Sequence, residues 1–131
     1  MEAMLSFTQA RHRMLTENIA NVDTPHYRTQ QLDAAAFQEK LSDALSDRRE
    51  NHSQELRIAG TTEFDQDEQG RLVVTPTRQP AENVLFHDHT NIRIERQMAM
   101  LAENGMMHET MTQLLQDKYT GLLKAIRGRA T

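Results

Sequence analysis

The chain has 131 residues, one domain's length, with 15 Lys+Arg against 19 Asp+Glu and a formal net charge of −4. That balance argues against a chain-wide attraction to nucleic acid or anionic membrane. The absence of Cys excludes disulfide scaffolds, thiolate zinc sites and cysteine nucleophiles. No apolar run reaches the roughly 18 residues needed to span a bilayer, and residues 1–9 lack the basic-then-apolar layout of a cleaved secretory signal. Hydrophobic residues are 37% and aromatics 5%, lean enough to favour a component that completes its core with other subunits over a compact enzyme.

Residues 2–21 read as a first helix. Leu5, Thr8, His12, Leu15, Ile19 and Val22 alternate steps of three and four, and Met4, Phe7, Arg11 and Met14 form an adjacent row. Pro25 pushes Thr24 out of the α region and ends it. A shorter second helix is expected over 33–47, with Asp33 as N-cap and Leu32 and Phe37 at hydrophobic-staple spacing. The wholly polar stretch 46–55 reads as a mobile linker. Residues 56–58 and 71–75 look β-like, with 65–70 as the intervening turn. Residues 75–83 make a loop held open by Pro76 and Pro80.

The carboxyl end carries the strongest pattern. Ile94, Met98, Leu101, Gly105, His108, Thr112, Leu115, Tyr119, Leu122 and Ile126 follow steps of four and three, and a helix over 92–127 would be roughly 54 Å long. A period sustained so far looks for other helices. The expected fold is therefore mainly α: long amino- and carboxyl-terminal helices in a coiled-coil-type pair or bundle, a short middle helix and a small β-like or irregular middle segment. With so few apolar residues, both terminal helices are expected to depend on partners.

Chemistry-bearing constellations are sparse. His87-Asp88-His89 is the most metal-like cluster, yet no second cluster completes a site, and the stretch reads as a polar loop before a helix cap. GxSxG, HExxH and Gly-rich phosphate loops are missing. No catalytic, cofactor-binding or metal-ligating residue is expected, and no cofactor. His12 and His108 read as interfacial or half-exposed. The five methionines Met98, Met100, Met106, Met107 and Met111 read first as core filling, and alternatively as a plastic contact surface.

The segment Asn18-Ile19-Ala20-Asn21-Val22-Asp23-Thr24-Pro25-His26-Tyr27 resembles the amino-terminal motif of flagellar basal-body rod proteins, whose usual form is N-[IL]-A-N-x-x-T-x-G-Y. The Thr-Pro variant and the short chain are most similar to the proximal-rod members. Asn91-Ile92, Glu95, Met98, residues 100–104 and residues 122–126 resemble the terminal helix of that family. The likeness covers roughly 1–37 and 90–128. It implies one rod-protein domain: a helix and motif at 1–31, a variable middle at 32–89 and a carboxyl-terminal helix at 90–131. It also implies a non-enzymatic structural subunit of the bacterial flagellar basal body, in the periplasmic rod, self-assembling through terminal helices to transmit torque. Implied partners are other rod and basal-body proteins, copies of itself and, during secretion without a cleaved signal, the flagellar export apparatus. No nucleic acid and no direct membrane insertion are implied.

Two departures stand out. The motif's Gly is His26, and residues 1–17 ahead of the motif are short for the family, which leaves open whether Met1 is the natural start. The assembly motif is expected to use Asn18, Ile19, Asn21, Thr24, Pro25 and Tyr27, as a fixed corner seated on a neighbour or, alternatively, as a self-capped helix end. The helical interface is expected to use Leu15, Met98, Leu101, Leu115, Tyr119, Leu122 and Ile126. Rival readings from other classes are a helical adaptor with a Met-rich groove and, further off, a small metal-dependent enzyme using His87 and His89.

Overall fold

A computed structural model describes residues 1–53, 55–78 and 89–128, the side chains of 89–93 excepted. Three helices dominate: α1 (Glu2–Ala20), α2 (Ala34–Glu50) and α3 (His89–Gly128). Between them lie four short strands, β1 (Gln30–Gln31), β2 (Phe64–Gln66), β3 (Leu72–Val74) and β4 (Thr77–Arg78). The mainly helical fold with long terminal helices and a small strand-bearing middle is as expected from the sequence. His87 and Asp88 lie outside the described residues, as do residues 79–83 of the expected loop.

The core sits where α1, α2 and the β2–β3 hairpin meet. Phe7, Met14, Leu15, Leu32, Phe37 and Phe64 form its buried cluster. Phe7 and Phe37 stack with ring centroids 4.2 Å apart, and Phe64 tilts against both at 5.9 and 5.3 Å. Three rings in van der Waals contact supply much of the apolar burial that a chain without Trp must find. Because α1 supplies Phe7, Met14 and Leu15, the amino-terminal helix is anchored within the chain. Among the described residues, the long stretch without intrachain cover lies on α3.

Asp33 caps α2 as expected, its Oδ1 accepting from the amides of Ala35 and Ala36, while Leu32 and Phe37 join the same cluster across the helix start. α2 continues to Glu50, so the first half of the polar stretch 46–55 is helix and not linker. The reason is local: Arg48 and Arg49 lie in the last turn, where cations complement the helix dipole.

β2 and β3 pair antiparallel, Phe64 opposite Val74 and Gln66 opposite Leu72. The turn is therefore 67–70, shorter than expected, and is held by Asp67. Its Oδ1 accepts from the amides of Gln69 and Arg71, and its Oδ2 accepts from Arg71 Nε at 2.8 Å. Those bonds, the Arg71 amide first, hold the Asp67 carboxyl below its ordinary range. Gly70 takes the left-handed conformation (φ 74°) that closes the turn. Residues 56–58 are not a strand. The Gln66 side-chain amide takes the partner's place, its Oε1 accepting from Ile58 N and its Nε2 donating to Leu56 O. β1 pairs antiparallel with β4, Gln30 opposite Arg78, and draws the chain after the first helix back towards the body.

Candidate assembly interface

α1 and α3 pack antiparallel: Thr8 meets Asn104 and His108, Arg11 meets Glu103, and Asn18 meets Gln97. The row of α3 that faces α1 is thus Gln97, Leu101, Asn104, His108, Met111 and Leu115, again in steps of four and three. It shares Leu101, His108 and Leu115 with the expected row but replaces Gly105 by Asn104 and passes over Met98, which is 55% exposed. The expected row is rotated by part of a turn because the polar Gln97 and Asn104 take the places it gave to Met98 and Gly105, and Met111 that of Thr112.

Asn104 is the centre of that row and is fully buried. Its Nδ2 donates to the Thr8 carbonyl at 2.8 Å. Thr8 is buried as well, its Oγ1 lying 3.0 Å from the Leu5 carbonyl and 2.8 Å from His108 Nδ1. A hydroxyl has one proton to give. Given to Leu5 O, it leaves Oγ1 to accept from His108 Nδ1–H. Arg11, 7% exposed, reaches Glu103 with Nη2 at 3.8 Å. Among the described residues, Asn104 Oδ1 and Arg11 Nη1 are buried with no hydrogen-bond partner. Such orphans each cost about 1–3 kcal/mol, so this seam is specific in its geometry and modest in its strength. Sequence reasoning did not single out Asn104, although its place on a four-three row with Leu101 and Leu115 was legible.

The motif forms a corner at the end of α1. Asn18 is buried and ties two segments twelve residues apart: Nδ2 donates to Gln30 O at 2.7 Å, and Oδ1 accepts from Gln30 N at 2.9 Å and from Tyr27 OH at 3.1 Å. Its amide thus works as a one-residue strand partner for β1. Asn21 caps the helix end, its Nδ2 donating to Glu17 O and its Oδ1 accepting from Thr24 Oγ1. Tight turns follow through Thr24 N→Asn21 O and Tyr27 N→Thr24 O. The structure therefore uses both motif amides inside the chain, as in the self-capped alternative. Ile19 is half-buried, and Thr24 and Pro25 are exposed. Burial, then the Glu17 carboxylate, pushes the Tyr27 phenol above its ordinary value against the opposing pull of Arg78. His26 stands at φ 61°, the left-handed region where a Gly would be unstrained.

Past Leu115, α3 leaves the body. Residues 116–128 are all exposed and extend about 20 Å. Tyr119, Leu122 and Ile126 continue the face that packs on α1, yet 56, 59 and 66% of their surfaces remain open. Leu123 flanks them and is 54% exposed. Of the expected interface residues, then, Leu15 is core, Leu101 lies in the α1–α3 seam, Leu115 closes it, Met98 points elsewhere, and Tyr119, Leu122 and Ile126 form an uncovered strip. Between that strip and the opposite wall, near Glu2 and Glu68, runs an open groove of about 1180 Å³. Among the described residues, no group of three or more His, Asp or Glu is placed to hold a metal ion, and no helix is long and apolar enough to cross a membrane.

The chain is similar over nearly its whole length to three flagellar basal body rod proteins FlgB. It is 29% identical to that of Aquifex aeolicus over 96% of this chain and 89% of the relative. For Aeromonas hydrophila the figures are 26%, 95% and 87%, and for Bacillus subtilis 25%, 98% and 91%. No family model matches the chain, and no solved structure does. The expected resemblance to flagellar rod proteins is borne out, and it spans the variable middle as well as the terminal helices.

Proposed function

We propose, from this resemblance to FlgB, that the chain is a structural subunit of the bacterial flagellar basal body. Its place is the proximal part of the periplasmic rod, and it performs no catalysis there. The observation that carries the reading is the apolar strip Tyr119, Leu122 and Ile126, which continues the α1-facing side of α3 after α1 has ended. A face built to pack on a helix, and left without one, fits a subunit whose neighbours complete it.

In this reading the strip seats against helices of other rod subunits, including copies of this chain. The body around Phe7, Phe37 and Phe64 keeps the protruding helix at a fixed angle. Torque passes along the tube because each α3 is clamped at its base by its own α1 and at its tip by a neighbour. The Asn18–Gln30–Tyr27 corner holds the end of α1 rigid, which lowers the entropy lost on docking. Export proceeds without a cleaved signal, through the flagellar export apparatus.

Deleting the gene tests the reading. Cells should lack flagella while the membrane-embedded base still forms, and the intact gene supplied in trans should restore swimming. Normal flagella in the deletion strain would overturn the assignment.

A further inference from the structure

The chain has six asparagines. Ile19, Val22, Val84 and Ile92 follow four of them and His52 a fifth, each with a side chain that crowds its own backbone nitrogen. Asn104 is followed by Gly105. Packing does not ask for that glycine: a Cβ at Gly105 would enter open space, and glycine weakens a helix interior. What the glycine does change is access. Without a Cβ, its backbone nitrogen is unobstructed, and its free dihedrals let an unfolded chain bring that nitrogen onto the preceding side chain.

We propose that Asn104 is a site of spontaneous deamidation, closed in the folded chain and open in the unfolded one, whose product cannot rebuild the α1–α3 seam. The Gly105 nitrogen gives up its proton and attacks Asn104 Cγ. The new N–Cγ bond closes a five-membered succinimide, and the side-chain nitrogen leaves as ammonia. Water then opens the ring, at Cγ to give aspartate or at the main-chain carbonyl carbon of residue 104 to give isoaspartate. One water enters and one ammonia leaves, with no oxidant or reductant. The fold blocks this in three ways. Both residues lie inside α3, so the Gly105 N–H belongs to the helical ladder and helical dihedrals hold Cγ out of line with that nitrogen. The side chain is pinned, Nδ2 donating to Thr8 O at 2.8 Å. The residue is fully buried, away from the water that opens the ring. All three barriers fall together when α3 opens from α1 and unwinds. The product does not fit the seam again. At neutral pH an aspartate has no proton to give the Thr8 carbonyl and sets a carboxylate against that oxygen without exposure to water. Arg11 is already shared with Glu103. Isoaspartate also adds a methylene to the backbone, which breaks the ladder. In the rod reading this withdraws from assembly any subunit that stays unfolded too long, while the chemistry itself does not depend on that reading.

The test holds the full chain unfolded in guanidinium chloride and, in parallel, folded in buffer, both in oxygen-labelled water at the same mildly alkaline pH. Peptide mass spectrometry locates the label, which enters only when water opens the ring. Asn104 should convert first in the unfolded chain, and about tenfold or more slowly in the folded one, where the segment must open before it reacts. Comparable conversion at any other asparagine would overturn the choice of site, and equal rates in the two states would overturn the protection. Gly105→Ala should lose the conversion in the unfolded chain while melting no lower than the parent. Conversion at the parent rate would overturn the role of the glycine. Asn104→Asp, which carries the product without ageing, should melt about 5 °C or more below the parent at neutral pH, and the aged parent chain, once refolded, should do the same. Melting with the unaged parent would overturn the consequence for the seam. These outcomes are read on the purified chain, whereas the rod reading stands or falls on flagella in the deletion strain, so neither failure is mistaken for the other.

Discussion

Leu122→Asp separates folding from assembly because the leucine does so little in the free chain. Full burial of a leucine stabilises by roughly 1.5–3 kcal/mol. With 59% of its surface open, roughly 1–2 kcal/mol of that is withheld until a neighbour arrives. Tyr119 and Ile126, open to 56 and 66%, hold back similar amounts, so the strip offers several kcal/mol to a partner and little to the fold. An aspartate at Leu122 then changes the stability of the monomer by no more than about 0.5–1 kcal/mol, as at other exposed sites. In an assembled interface the same carboxylate must be desolvated without a partner, at a cost of several kcal/mol. The expected result is a melting temperature within about 5 °C of the parent, measured by circular dichroism under dilute conditions, together with lost swimming. Phe37→Ala is the control. That ring is fully buried and stacked on Phe7, so the variant should lose about 3–5 kcal/mol of stability. A sharp fall in the melting temperature of Leu122→Asp would show that the strip is already covered within the chain, and normal swimming would show that it is not an assembly face.

Asn104→Leu should leave stability unchanged or raise it by about 1–3 kcal/mol, since it removes the orphan Oδ1 along with one hydrogen bond. Spin labels at exposed Gln9 and Glu109 should then give a broader distance distribution, and a narrow, parent-like one would refute a register role. Tyr27→Phe addresses alkaline stability. A phenol whose folded value is raised contributes stability that is complete below about pH 10 and is lost as pH climbs through the folded value. The variant should therefore melt less pH-dependently than the parent above about pH 10, and identical profiles would contradict the burial argument. His26→Gly relieves a left-handed residue and should stabilise the corner by of order 1 kcal/mol in thermal melts, whereas destabilisation would mean that the imidazole is needed where it stands.

Residues that announce themselves by type were legible from sequence. Asp33 was identified as a cap because a carboxylate before a helical run has few other uses there. The long α3 was legible because its period never breaks. Its facing was not, since Asn104 and Gln97 occupy seam positions that an apolar count assigns to solvent. Residues 56–58 alternate like a strand but satisfy their backbone with the Gln66 side chain, a partner no local pattern reveals. Asn18 and Asn21 were recognised as a unit, but what they bind was not. Whether an amide turns to its own chain or to a neighbour depends on where β1 returns, which is tertiary information.

The two halves of α3 divide the work between specificity and affinity. Where it meets α1, the contact is set by Asn104, Thr8, His108 and Arg11, groups whose hydrogen bonds admit one register and add little net stability. Where α3 stands free, the face turns to Tyr119, Leu122 and Ile126, whose burial is strong and tolerant of direction. The order matters. An apolar seam inside the chain would compete with the protruding strip for any helix that approached, and slippage would change how far α3 extends. The polar groups set among Leu101, Met111 and Leu115 fix the length of the protrusion first. The apolar strip can then be presented at a constant position, which a subunit needs if it is to repeat along a tube.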